Sequence, residues 1–471
     1  MISDTTQPRK NYTLPLITLT SLFFMWGFIT CMNDVLIPYL KKLFSLTYFE
    51  SMLIQFCFFG AYFIGSLIYF TISYYSGDPI NKIGYKKGIL LGLLISAIGC
   101  AMFYPAATLS SYGVFLAALF ILGLGFTLLQ ISANAYVSLL GPDESASSRL
   151  NLTQAFNSLG TTIAPVLGGY LIQEFFAVNG VVSAQSTKIP YLIFAGLFIL
   201  LGIIIAFVKL PKFNSEEIES KGLGALKYKN LRLGVIAIFF YVGGEVAIGS
   251  FIISLLGQAN MGSMPEAVAK NYLSLYWGGA MIGRFLGAIS LSKGIDTTKK
   301  IIYMLITAVV VFGVIYSIVT LSFAQIHYFL IFIALNLVGF LIGKSSPGRT
   351  LAVFACVNVV LVLITMFTNG AVAMWSILGI GLFNSIMYSN IFTLGIAGLG
   401  KYTSQGSSLL VMAILGGAVI PVIQGAVADI IGVQHALILP VICYLYIVYF
   451  GYYCWKNLGH IEHDGQVKGG H

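Results

Sequence analysis

The sequence predicts an all-α protein that crosses a membrane many times, built as two bundles of six helices with an extra two-helix hairpin in the second. Three observations predict it. Of 471 residues, 58% are hydrophobic and only 9% are charged, against roughly 25% charged in ordinary globular domains. Apolar runs of about 20 residues, the length that spans a bilayer, recur along the whole chain. Lys and Arg sit almost wholly in the short gaps between those runs. A soluble enzyme, a secreted disulfide scaffold and a disordered tail are excluded by this composition. The net charge of +9 would suit nucleic acid, but placement between membrane spans excludes that reading too.

Taken in order, the runs fall near residues 14–40, 51–75, 88–108, 112–140, 152–176 and 190–210. A polar stretch, 211–231, follows with Lys212, Glu216, Glu217, Glu219, Lys221, Lys227 and Lys229. Runs resume near 232–256, 270–293, 300–322, 326–343, 350–369, 372–397, 406–430 and 434–456. The expected organisation is a bundle over 1–210, a cytoplasmic linker over 211–231, a second bundle over 232–456 and a cytoplasmic tail over 457–471. With the N-terminus inside, twenty of the 25 basic residues fall on the inner side and four (Lys41, Lys42, Lys188, Lys270) on the outer. That excess orients the chain with both termini cytoplasmic. The polar stretch from Met1 to Thr13 and the long first run do not read as a removable signal peptide.

The chain repeats itself weakly. Phe58-Phe59-Gly60-Ala61-Tyr62-Phe63-Ile64-Gly65 resembles Tyr276-Trp277-Gly278-Gly279-Ala280-Met281-Ile282-Gly283, 218 residues later. Leu159-Gly160, Pro165-Val166 and Gly169 match Leu415-Gly416, Pro421-Val422 and Gly425 at an offset of 256. Between these matches the second half has gained 38 residues, about one helical hairpin, and 300–343 is the natural place for it. Two related halves joined by a cytoplasmic linker form the parallel-repeat architecture of major facilitator transporters.

Ionisable side chains inside spans cost about 2.5–3.5 kcal/mol each on insertion scales, so each invites a functional reading. Asp34 lies in the outer half of the first run, beside Asn33 and before Pro38; Glu245 is central in the seventh; Arg284 is mid-way along the eighth. Asp34 and Glu245 are the expected cation-coupling carboxylates, with a structural Glu245–Arg284 pair as the competing reading. Asp429 and Glu50, near span ends, read as solvated carboxylates. Gln130 and Asn134 share one helix face, as do Gln154 and Asn157. Asn384, Asn390 and Gln424 occupy the corresponding region of the second half, and Trp26 and Trp277 offer flat apolar faces. Amides that both donate and accept suit an uncharged, hydroxyl-rich ligand such as a sugar. The expected substrate-binding set is Trp26, Gln130, Asn134, Gln154, Asn157, Trp277, Asn384 and Gln424.

Other patterns carry no chemistry. Gly123-Leu124-Gly125 lies mid-span with no strand before it, so it reads as helix packing rather than a nucleotide loop. No Walker motif is present. The six cysteines form no C-x-x-C pair and read as buried apolar residues. The histidines have no metal-ligand spacing, so neither cofactor nor metal is expected beyond a transported Na⁺. The chain is not expected to be an enzyme. Asn81-Lys82-Ile83-Gly84-Tyr85-Lys86-Lys87 looks like the charged gate loop of the major facilitator superfamily, with Asn81 where an acid is usual.

Across the whole chain apart from the extra hairpin, the sequence resembles the fucose–galactose–glucose–proton symporter family, and within it the bacterial glucose/galactose transporters. The resemblance rests on Phe24-Met25-Trp26-Gly27-Phe28 through Asn33-Asp34-Val35-Leu36-Ile37-Pro38, on Leu53-Ile54-Gln55-Phe56-Cys57-Phe58-Phe59-Gly60-Ala61-Tyr62, and on Gln154-Ala155-Phe156-Asn157-Ser158-Leu159-Gly160-Thr161-Thr162. Tyr241-Val242-Gly243-Gly244-Glu245-Val246-Ala247-Ile248-Gly249-Ser250 and Phe383-Asn384-Ser385-Ile386-Met387 extend it. It implies the major facilitator fold, alternating access and import of glucose or galactose with Na⁺ or H⁺ across a bacterial inner membrane. Another hexose (fucose, mannose, N-acetylglucosamine) or a non-transporting sugar sensor is the alternative, and a monomer is expected. Family roles fall on Asp34, Trp26, Gln154 and Asn157. Gln130 stands where the fucose branch has a glutamate, a departure shared with the glucose/galactose branch, for which Na⁺ coupling is implied.

Overall fold

Each apolar run is a helix in the computed structural model, which describes residues 13–76, 79–140, 146–176, 183–211, 224–291, 296–399 and 403–463. The first half contains α1 (Thr13–Leu43), α2 (Tyr48–Ser76), α3 (Tyr85–Thr108), α4 (Tyr112–Leu139), α5 (Ala146–Tyr170) and α6 (Lys188–Phe207). The second contains α7 (Lys229–Leu256), α8 (Glu266–Ser290), α9 (Thr297–Ile318), α10 (Phe329–Gly343) and α11 (Pro347–Phe367). It continues with α12 (Gly370–Ile396), α13 and α14 (Ile438–His463). α13 is compound: Thr403–Met412, a 3-10 turn at Ala413–Leu415, then Gly416–Ile431. Among the described residues there is no strand. Among the described residues eleven helices are long and apolar enough to cross a membrane. The other three are α5 and α8, which are too polar, and α10, which is short.

Residues 212–223 of the expected linker, the tail beyond 463 and the side chains of Asn81 and Lys82 lie outside the described residues. α14 continues past 456 to His463, so the start of the expected tail is helical.

Pairing of helices repeats between the halves. α1 packs on α5 as α7 packs on α13; α2 on α4 as α8 on α12; α3 on α6 as α11 on α14. In this register α9 and α10 have no counterpart. They form the extra hairpin, α9 against α8 and α10 against α11 and α12. The repeated sequence motifs sit where the repeated crossings are tightest. A Cβ on Gly160 would lie 2.2 Å from the Phe24 carbonyl oxygen of α1, and one on Gly416 only 1.8 Å from the Phe239 carbonyl oxygen of α7. Likewise Gly123 of α4 faces the Phe58 carbonyl at 2.3 Å and Gly381 of α12 faces the Tyr276 carbonyl at 2.0 Å. Small residues let helix backbones meet in a solvent that offers no hydrophobic drive between helices. The Gly-Leu-Gly run at Gly123 is therefore a packing surface.

The two most extensive contacts between the halves are α5 on α8 and α2 on α13, and α1 also touches α7. The two most polar long helices thus face each other. At the end of the bundle where α1 finishes, hereafter the distal end, charged groups tie the halves together. Lys42 pairs with Glu266 at 2.8 Å, and Lys270 with Glu174, in the π turn after α5, at 2.7 Å. Asp429 of α13 accepts the Tyr48 and Phe49 backbone N–H groups, each at 3.0 Å, capping α2 from the opposite half. The carboxylate read as merely solvated is a cross-half cap; Glu50 caps its own turn by accepting from Thr47 N at 2.8 Å.

Candidate sugar and cation site

Around Asp34 the chain closes a ring of hydrogen bonds that includes both halves. Gln55 Nε2 of α2 donates to Asp34 Oδ1 at 3.0 Å and to Ser250 Oγ of α7 at 2.9 Å. Ser250 Oγ donates to the same Asp34 oxygen at 3.3 Å. All three side chains are at most 4% exposed. The second carboxylate oxygen accepts from a softer partner, the Cys31 thiol, at 3.7 Å, and the Trp277 indole of α8 lies close by. Trp277 Nε1 is buried without a hydrogen bond. Gly249 makes this approach feasible, since a Cβ there would sit 3.0 Å from Trp277 Cζ2 and 3.5 Å from Asp34 Oδ2.

Glu245 and Arg284 do not meet. The ion pairs among the described residues do not include them. Glu245 Oε1 accepts from Tyr241 Oη, one turn earlier on α7, at 2.7 Å. Arg284 turns instead toward neutral oxygens on two other helices. Its Nε donates to the Ser385 carbonyl at 3.2 Å, and its Nη1 to the Gln154 carbonyl at 3.2 Å and to Ser158 Oγ. The Ser385 carbonyl is available because α12 breaks into Gly370–Asn384 and Met387–Ile396. Irregular backbone at membrane depth is tolerated where protein groups satisfy it, and here Arg284 does so.

The amides expected to bind sugar divide into three kinds. Gln154 is half-buried on α5, beside the Arg284 crossing, and Asn134 is half-buried on α4. Gln130 Nε2 donates to Tyr388 Oη across the halves at 3.3 Å, leaving its Oε1 without a partner. Gln424, on the part of α13 that packs on α2 and α7, is wholly buried with both amide atoms unpartnered. Gln130 through its Oε1, Gln154, and Gln424 through both amide atoms keep hydrogen-bonding capacity for a ligand, and so does the Oδ1 atom of Asn134. Asn157 instead donates to the Phe23 carbonyl at 3.0 Å, pinning α5 to α1. Asn384 is a structural hub: it donates to Tyr276 Oη at 2.9 Å and accepts from Asn358 Nδ2 at 2.8 Å and Tyr444 Oη at 2.7 Å. Asn390 donates to the Pro347 carbonyl at 3.2 Å. Trp26 is 8% exposed, donates to Tyr62 Oη at 3.2 Å and packs edge-on to Phe126.

Sequence reasoning passed over Gln55, Ser250, Ser158 and Tyr388. Gln55 carried a usable signal, an amide deep in an otherwise apolar run, one helix along from Asp34. Ser250 and Ser158 carried none, because a lone serine within a span is ordinary packing material. No cluster of metal-binding side chains occurs among the described residues.

The sequence profile of the Major Facilitator Superfamily matches residues 17–355. A glucose/galactose transporter of Brucella abortus is 45% identical over 451 residues, 95% of each chain. The L-fucose-proton symporter of Escherichia coli is 31% identical over 466 residues, 94% of this chain and 93% of that one. The crystal structure of the Escherichia coli fucose:proton symporter superposes with a TM-score of 0.66 at 29% identity, covering 94% of this chain and 98% of that one. With the paired halves, the polar cross-half helices and these relatives in hand, the chain belongs to the major facilitator superfamily and, within it, to the fucose–galactose–glucose–proton symporter family.

Proposed function

We propose that this protein is a secondary active symporter that imports glucose, galactose or both, driven by Na⁺ or H⁺ and working by alternating access. The observation that carries it is the Asp34 carboxylate, wholly buried in an apolar span and hydrogen-bonded to both halves. A charge in that position favours whichever state keeps its partners. Separating α1 from α7 strips away Ser250, so with the distal end open a cation taken up from outside replaces the lost donor. The relatives' names supply the substrate class, and the similarity to a fucose symporter keeps fucose as the second sugar to try.

In this reading the halves are residues 1–210 and 232–456, joined by a cytoplasmic linker, and the monomer carries a complete path. The distal end faces outward in a bacterial inner membrane and both termini are cytoplasmic, a reading supported by the excess of basic residues on one side. Gln130, Asn134, Gln154, Trp277 and Gln424 offer hydrogen bonds and an aromatic face to the sugar. Asn157, Asn384 and Trp26 hold the walls that shape its site.

Reconstituted vesicles test this directly. Wild-type protein should accumulate labelled glucose or galactose under an imposed Na⁺ or pH gradient. Asp34→Asn should lose accumulation while still exchanging labelled for unlabelled sugar. Accumulation that survives in Asp34→Asn would remove Asp34 from the coupling step. Binding without any accumulation by the wild type would make the protein a sensor.

A further inference from the structure

We propose that Ser250 and Gln55 are positioning residues for the Asp34 carboxylate, and that Ser250 is the contact through which the second half senses whether Asp34 carries a cation. The proposal rests on the reading of Asp34 as the coupling residue and assigns it a mechanism.

The ring leaves little freedom. Gln55 Nε2 has two hydrogens and spends one on Asp34 Oδ1 and one on Ser250 Oγ. Ser250 has a single hydroxyl hydrogen, directed at the same Oδ1. Every donor is used and Oδ1 only accepts, which is the arrangement of an uncharged-donor cradle around an anion. A proton on Oδ1 would face two donors, so an arriving cation engages Oδ2, whose hydrogen bond is the long one from the Cys31 thiol. The other ionisable groups bearing on Asp34 are Cys31 on its own helix and Glu245 on α7; α2 and α8 contribute the neutral Gln55 and Trp277.

The members of the ring are not equivalent in mechanics. Gln55 and Asp34 belong to the same half, on α1 and α2. Ser250 stands on α7 in the other half and is tied to both. Movement of one half against the other therefore preserves the Gln55–Asp34 bond and breaks the two bonds to Ser250. An uncharged hydroxyl suits this position, since it stabilises the bare carboxylate without competing with a cation as a lysine or arginine would. When a cation draws charge from the carboxylate, the Ser250 bond weakens from charge-assisted to ordinary strength, and the halves are freer to part.

The sign of the test follows. A donor to the charged form favours the cation-free carboxylate, so its removal makes the site hold the cation more tightly. Ser250→Ala should lower the half-saturating Na⁺ concentration about tenfold, or move the pH midpoint of driven uptake up by about one unit, the usual size for a hydrogen bond to a charged group. Maximal accumulation rate should fall because release is slowed, while the sugar KM stays within about twofold. Ser250→Thr keeps the hydroxyl and should restore wild-type cation dependence. Ser250→Cys keeps the size with a much weaker donor and should behave like Ser250→Ala; it carries the test if the alanine variant is not recovered folded. Asp34→Asn, assayed in the same vesicles, separates the two ideas. If Asp34→Asn abolishes accumulation and Ser250→Ala or Ser250→Cys shows wild-type cation dependence, Ser250 is packing and the proposal is wrong. If Asp34→Asn accumulates normally, the coupling role fails first and this proposal with it.

Discussion

Glu245 shows what a residue's neighbours add to its identity. From sequence, a glutamate and an arginine at similar depth on consecutive helices invite pairing. In the structure Arg284 is spent on the Gln154 and Ser385 carbonyls and Ser158 Oγ, and Glu245 on the Tyr241 hydroxyl. An amide can accept the same tyrosine hydrogen, so Glu245→Gln should fold with near wild-type yield and a stability loss of no more than about 1 kcal/mol. Thermal melting of the detergent-solubilised variant measures this. A severe loss of yield that Arg284→Met reverses would mean that the guanidinium needs the carboxylate after all. Legibility at this scale followed polarity against background. Asp34, Gln130, Gln154 and Gln424 were visible because they are amides or acids in apolar runs. The difference between Gln424, with both amide atoms unpartnered, and Asn384, with three side-chain hydrogen bonds, was invisible because it is set by Tyr276, Asn358 and Tyr444 on other helices.

At the scale of elements, the helices were the most readable part of the chain, since length and apolarity are local properties. Their ends were less so. α5 starts near Ala146, six residues before its apolar run, because its first turns are polar, and α14 overruns its run for the same reason. What the sequence could only hint at, through two short matches, is that corresponding glycines make corresponding crossings. Gly160→Ala and Gly416→Ala each drive a methyl into a backbone carbonyl on the facing helix and should each cost about 1–3 kcal/mol. Gly196→Ala on α6, where a Cβ meets nothing within 4 Å, should be neutral or stabilising by up to about 1 kcal/mol. Melting temperatures of the three variants in one detergent decide the matter. Equal behaviour of Gly160→Ala and Gly196→Ala would show that the α1–α5 crossing yields easily.

For the molecule as a whole, the distal end is latched by contacts of unequal weight. Lys42 is 62% exposed, so its pair with Glu266 contributes little. Lys270 is 7% exposed and Asp429 caps two amides at once, so these two hold the halves more firmly. Asp429→Ala removes a helix cap contributing about 1 kcal/mol, enough to raise the population with an open distal end about fivefold. A cysteine placed at Met52, 1% exposed on α2, should then react correspondingly faster with an impermeant thiol reagent, above the rate of the native cysteines. Lys42→Ala should change that rate far less. Unaltered labelling in Asp429→Ala would make the cap incidental to closure. The low apolarity of α5 and α8, which faces them toward each other, also bears on how the chain is made. A helix that polar is a poor candidate for entry into lipid by itself as it leaves the ribosome. α5 emerges after α1, the helix on which it packs, and just before the strongly apolar α6, of mean hydropathy 2.6. α8 is followed at once by α9, of mean hydropathy 2.5, which lies directly against it. The first helix of the added hairpin is thus a strongly apolar neighbour, next in the chain and in direct contact, for the most polar long helix of the second half.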